Sequence, residues 1–164
     1  MKLQDLDIKG FMAATSGSDP VPGGGSISAL CGALSAALAE MVTGLTIGRK
    51  KYVEVEEEMK ALAPKMAEAQ VKFLQFIDDD ADAYNVVFDA FKLPKETDEE
   101  KAARSNAIQE ATLKAALVPL EVAKTAVEIM DAIAVIAAKG NQNAITDACV
   151  AMMCARTATF GALL

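Results

Sequence analysis

An aspartate on an otherwise apolar helical seam is the residue in this sequence best suited to chemistry. Read at alternating spacings of three and four, Met59, Leu62, Met66, Ala69, Phe73, Phe76, Asp80, Ala83, Val87 and Ala90 form one stripe, and only Asp80 on it is charged. A carboxylate on such a seam loses hydration, which disfavours its charged form. Asp78, Asp79 and Asp82 are near enough to act in the same sense by repulsion and are expected to face solvent. A carboxyl group balanced between its two forms near neutral pH can pass protons at a reacting centre. The same pattern also suits a buried aspartate satisfied by a neighbouring helix, and spacing leaves both readings open.

Three further stretches could hold a ligand. Pro22-Gly23-Gly24-Gly25-Ser26 opens a helix, where backbone N–H groups and the helix dipole suit a carboxylate or phosphate. No Gly-Lys-Ser/Thr follows, so this is not a Walker loop, and a tight turn with a serine cap explains the same residues. Gly48-Arg49-Lys50-Lys51-Tyr52 is a basic run in an acidic chain. It suits an anionic tail, or simply the negative end of the preceding helix. Gly140-Asn141-Gln142-Asn143 followed by Asp147 offers polar groups that either face a ligand or cap helices, with Gly140 ending one and Asn143 starting the next.

What the chain lacks narrows the chemistry. It has no histidine, which excludes a histidine-based triad, a His general base and imidazole zinc ligands. Cys31, Cys149 and Cys154 lie in apolar helical patterns and read as reduced core thiols of a cytoplasmic protein rather than as disulfides. The formal charge of −7 makes nucleic acid and anionic membranes poor partners. The N-terminus lacks the basic and apolar regions of a signal peptide. The apolar segment from Ile27 to Ile47 carries Glu40 and several small polar residues, and reads as a helix buried in a bundle rather than in a membrane.

These residues must be held by helices, for no strand pattern or repeat occurs and the composition is rich in Ala, Leu and Met. A short amphipathic helix is expected over Asp7 to Thr15. A second runs from Ser26 to Gly48, with Ile27, Cys31, Leu34, Leu38, Met41 and Leu45 as its large apolar stripe. Ser28, Gly32 and Ala36 on another face would let a neighbouring backbone come close. A third covers Val53 to Phe91, kinked or restarted at Pro64. Thr97 and Glu100 form a capping box for a fourth, which reaches Lys139 with Pro119 inside it. A fifth begins near Asn143 and runs to Leu164. The fold class is all-α, a single domain over residues 1–164 built as a bundle of long antiparallel helices. The large apolar fraction points to a homo-oligomer.

The stretches Pro22 to Ser26, Gly48 to Tyr52, Asp78 to Tyr84, Leu93-Pro94-Lys95, Val118-Pro119-Leu120 and Gly140-Asn141 with Asp147 resemble, in this order, the cyclodeaminase domain of the formiminotransferase-cyclodeaminase family. The resemblance implies an all-helical domain that dimerises and acts on a tetrahydrofolate derivative, with or without a polyglutamate tail, using neither metal nor cofactor. It implies that Asp80, the second acidic residue of Asp78-Asp79-Asp80-Ala81-Asp82-Ala83-Tyr84, is catalytic. Gly23 to Ser26 or Arg49, Lys50 and Lys51 would hold the glutamate tail, with Asn141 and Asp147 near the pterin. Family members continue past the Phe-Gly-Ala stretch, here Phe160-Gly161-Ala162, so the family's last helix is expected to be missing. The implied activity is formiminotetrahydrofolate cyclodeaminase. The alternatives are methenyltetrahydrofolate cyclohydrolase, which the lack of a fused formiminotransferase favours, and a non-catalytic folate-binding or scaffolding oligomer.

Overall fold

A computed structural model describes residues 2–164. The chain forms α1 (Ile8–Thr15), α2 (Gly24–Thr46), α3 (Glu56–Phe91), α4 (Asp98–Lys139) and α5 (Ile145–Ala162), with single 3-10 stretches at Leu3–Asp5, Lys50–Val55 and Gln142–Ala144. No strand occurs among the described residues. The four long helices pack α2 on α3, α3 on α4, α4 on α5 and α5 back on α2. Short connections make successive helices antiparallel, as pairs of contacts along each seam show. Gly25 meets Asp80 and Gly32 meets Phe73 between α2 and α3. Lys139 pairs with Glu58 at one end of α3 and α4, and Arg104 donates to the Phe91 carbonyl at the other.

Helix ends follow local chemistry. Thr97 accepts from the Glu100 N–H while the Glu100 side chain accepts from the Thr97 N–H, so the capping box expected for α4 is present. Asp7 caps α1 by accepting from Gly10 N at 2.6 Å. Gly48, with φ of 76°, turns the chain out of α2 in a conformation that disfavours other residues. Pro64 and Pro119 lie inside helices that continue without a break, so α3 does not restart at Pro64. Asn143 does not cap the last helix. Asn141 instead caps the 3-10 turn by accepting from Asn143 N at 3.1 Å, and α5 starts two residues later.

The largest correction concerns α2. Its expected core stripe faces outward: Leu34, Met41 and Leu45 are 50%, 42% and 37% exposed, and Ile27, Cys31 and Leu38 are only partly buried. The buried face carries Ser26, Ser28, Ala29, Gly32, Ser35, Ala36 and Ala39. Close approach is the reason. The Phe73 ring lies where a Cβ of residue 32 would be, Ser28 fills the space beside Gly161, and Ser35 Oγ donates to the Ala151 carbonyl at 2.7 Å. Buried alanines at 148, 151, 155 and 158 line α5 along the same seam. A leucine at any of these points would force the helices apart, so small residues went inside and large ones outside. The α3 stripe behaves as expected, with Met59, Met66, Ala69 and Phe73 buried and Asp80 partly so. α2 is long and apolar enough to cross a membrane by length and composition, and here half of that apolar window is buried in the bundle.

Candidate active site

Asp80 sits on α3 where that helix passes the N-terminus of α2. Ser26 is fully buried, and its hydroxyl donates to Asp80 Oδ2 at 2.8 Å. A Cβ at position 25 would collide with the Asp80 carboxylate, so Gly25 is what lets the acid come this close. The carboxylate therefore faces the positive end of the α2 dipole. Gly24 next to it is exposed with open space around it, and Gly23 is partly buried. Of the four residues expected to grip a substrate anion, Gly25 and Ser26 thus position Asp80, and only Gly23 and Gly24 remain open. Asp80 itself is partly exposed, so a reactant can reach it.

Asp78 does not face solvent as expected. It is 6% exposed, accepts from Leu3 N at 2.6 Å on one oxygen and from Gln4 Nε2 on the other, and so ties the N-terminal segment to α3. Asp82 is exposed, and Asp79, partly buried, is held by Gln75 at 2.8 Å. Alternate acids on α3 therefore have different tasks, one structural and one near open space.

The basic run and the Gly140-Asn141 stretch, far apart in sequence, meet in one cleft. Arg49, Lys50, Lys51, Tyr52, Asn141 and Asn143 line an open cavity of about 420 Å³. The three cationic residues are exposed. Asn141 is engaged by the protein on every side: its N–H donates to Thr46 Oγ1 at 2.9 Å, its Nδ2 to the Leu45 carbonyl at 2.9 Å, and its Oδ1 accepts from Asn143 N. Tyr52 Oη accepts from Gln142 N at 3.0 Å and lies 3.5 Å from Asn141 Oδ1. Asn141 and Tyr52 together pin the basic loop to the end of α2. Asp147, partly buried, is on the first turn of α5 at this same end.

Two half-sites result, not one. Asp80 with Gly23 to Ser26 lies at the start of α2, while Arg49 to Lys51, Asn141 and Asp147 lie at its end. From Gly25 to Thr46 the helix axis rises about 31 Å. Sequence reasoning missed Thr46, gave Tyr52 no role although it closes the basic run, and placed Asp78 in solvent. The partners of Asp78 are 74 and 75 residues away, and nothing local announces them.

The core position expected for the thiols holds only in part, for Cys31, which packs against the core cluster. Cys149 is exposed, and Cys31 and Cys154 are half-buried. Burial pushes the Cys31 and Cys154 thiols up from their ordinary range, with Cys154 adding a like charge beside Cys31.

Comparison with known proteins gives a consistent family. The model described as formiminotransferase-cyclodeaminase matches residues 7–164. The chain is 45% identical over 148 residues to the methenyltetrahydrofolate cyclohydrolase of Methylorubrum extorquens, covering 90% of this chain and 71% of that protein. It is 36% identical over 160 residues to the formimidoyltransferase-cyclodeaminase of Mus musculus, covering 98% of this chain but 30% of the mouse protein. Among solved structures, the formiminotetrahydrofolate cyclodeaminase of Thermotoga maritima superposes with a TM-score of 0.81 at 28% identity, covering 99% of this chain and 79% of that one.

Proposed function

This chain belongs to the formiminotransferase-cyclodeaminase family, and from that premise we propose that it is an enzyme of folate one-carbon chemistry that opens and closes the methenyl bridge of tetrahydrofolate. The reading rests on one observation: a partly exposed carboxylate, Asp80, held at a helix N-terminus by Ser26 and admitted there by Gly25. Within it we favour methenyltetrahydrofolate cyclohydrolase, because the 45% identity to a protein of that name exceeds the 36% and 28% to proteins named as cyclodeaminases.

The chemistry asks for one proton carrier. In the cyclohydrolase direction, water adds to the amidinium carbon between N5 and N10 as Asp80 takes its proton. The tetrahedral carbon then breaks its bond to N5, Asp80 returns the proton to that nitrogen, and the second proton of the water leaves as 10-formyl-tetrahydrofolate forms. Ser26 orients the carboxylate throughout. Neither a metal nor a cofactor is required. The exposed cations Arg49, Lys50 and Lys51 suit the glutamate tail.

A cyclodeaminase reading is favoured by the close superposition on the Thermotoga maritima structure. There N10 attacks the formimino carbon, Asp80 takes the N10 proton and delivers it to the departing nitrogen, and ammonia leaves. Absorbance of the methenyl chromophore separates the two. Accelerated decay of methenyl-tetrahydrofolate without growth from 5-formimino-tetrahydrofolate supports the cyclohydrolase. Growth from the formimino compound, abolished in Asp80→Asn, supports the cyclodeaminase. No change with either rejects the enzyme reading and leaves a binding or scaffolding oligomer.

A further inference from the structure

The face of α3 that α2 covers does not end at Asp80. On the N-terminal side of the acid, Phe73 meets Gly32, and Ser26 Oγ lies 3.3 Å from the Ile77 carbonyl oxygen. α2 begins at Gly24, beside Asp80, whereas α3 runs on to Phe91, about 16 Å further. Tyr84 and Phe88 follow Asp80 at intervals of four residues, so they carry the same face past the point where α2 stops. Tyr84 is 41% exposed and Phe88 50%. Their rings lie parallel within 15°, with centroids 6.4 Å apart. Lys92 closes the row, its ammonium 4.3 Å from the centre of the Phe88 ring. That ammonium also pairs with Asp89 at 2.8 Å, but both side chains are exposed, so the pair is weak and easily exchanged.

The order of groups along this open face is a carboxylate, two aromatic rings and an ammonium. A folate whose methenyl carbon lies at Asp80 carries the complementary groups in the same order. Its cationic amidinium comes first, then the p-aminobenzoyl ring on N10, then the carboxylates of glutamate. Acid faces cation, ring faces ring, and ammonium faces carboxylate. From Asp80 to Phe88, where the Lys92 ammonium sits, the helix rises about 12 Å, a span that an extended p-aminobenzoylglutamate covers. The basic loop lies about 31 Å away in the other direction along α2, beyond the reach of the first glutamate of such a folate.

We propose that Tyr84 and Phe88 form the platform on which the p-aminobenzoyl ring of the substrate stacks, and that Lys92 takes a carboxylate of its first glutamate. The helix that carries the acid then also sets the direction in which the substrate lies, with the reacting carbon at Asp80 and the tail toward Lys92. This rests on the functional reading above, in which Asp80 works at the methenyl carbon.

The test removes a group from the protein and its partner from the substrate in turn. Decay of the methenyl chromophore is followed with 5,10-methenyl-tetrahydrofolate and with the matching tetrahydropteroyl amide, in which a neutral amide replaces the glutamate. Tyr84→Ala and Phe88→Ala should each raise KM for both compounds, by roughly 5- to 100-fold, the range that stacked nucleobases show, with little change in kcat. Lys92→Ala should raise KM about 2- to 5-fold for the folate, and that effect should vanish with the amide. Val86→Ala, similarly exposed but on the opposite side of α3, should alter neither constant. Unchanged KM in Tyr84→Ala/Phe88→Ala, a loss confined to kcat, or a Lys92 effect of equal size on both compounds overturns the proposal and leaves the functional reading standing. A wild type inert on both the methenyl and the formimino compound makes the functional reading fail instead. Binding is then read without turnover, by saturation-transfer NMR with p-aminobenzoylglutamate. Transfer to its ring protons by the wild type, lost in Tyr84→Ala/Phe88→Ala, upholds the platform, and transfer that is absent or equal in both proteins overturns it.

Discussion

Asp80 is positioned by two neighbours that carry no charge, and each makes a separate prediction. Ser26→Ala removes a hydrogen bond to a carboxylate, an interaction of about 1.5–3 kcal/mol, and should lower kcat on the order of 10-fold or more with little change in KM. Gly25→Ala places a methyl group where the carboxylate lies, so it should displace Asp80 and lower kcat at least as far while circular dichroism stays unchanged. Among the thiols, the raised Cys31 and Cys154 form less thiolate at a given pH. Alkylation at pH 7.5 (about the ordinary working range) should therefore mark exposed Cys149 first and reach the other two only as pH rises, read by peptide mass spectrometry. At this scale the sequence was informative where a residue broke a pattern. Asp80 stood out because its stripe was otherwise apolar. Asp78 did not, because its partners, Leu3 and Gln4, come from the far end of the chain.

The helices were legible in their existence, in capping for α4 but not for α2 or α5, and less so in their facing. Thr97 and Glu100 announced the start of α4 by local chemistry alone. Thr97→Ala should cost about 1 kcal/mol in urea unfolding, with the fold otherwise intact. For α2, periodicity found two stripes, one large and apolar and one small, and hydrophobicity chose the wrong one as the inner face. The deciding information was the shape of α3 and α5: the ring of Phe73 requires Gly32, and the side chain of Ser28 requires Gly161 on α5. Gly32→Leu should therefore destabilise by about 1–3 kcal/mol or more through overpacking, although it adds apolar surface to an apolar helix. Asp78→Ala leaves the Leu3 N–H without its acceptor. Amide exchange over residues 2–15 should quicken markedly while the four-helix core remains protected.

For the molecule as a whole, the bundle is consistent from composition to topology, but large apolar side chains remain exposed on several helices, among them Leu34, Met41 and Leu45 on α2, Leu113 and Leu117 on α4, and Met153 and Phe160 on α5. A homo-oligomer, expected from the large apolar fraction of the sequence, would cover such a face. An oligomer that buries the α2 face predicts that Met41→Glu shifts sedimentation toward the monomer, whereas Lys95→Glu at the exposed α3–α4 turn leaves it unchanged. The separation of the half-sites was not legible from the sequence, because the motifs that signal the family appear in order along the chain with nothing to show which share an end of the bundle.

The central claim is that Asp80 moves the proton when the methenyl bridge opens or closes. Its most direct test is the decay of the methenyl chromophore, followed with wild type and with Asp80→Asn at equal concentration and matched circular dichroism. The account predicts catalysed decay by the wild type and a loss of about 10²–10⁴-fold in the variant, the usual contribution of a positioned acid or base. Undiminished decay in Asp80→Asn would contradict it, and the catalytic group would have to be sought elsewhere in the bundle.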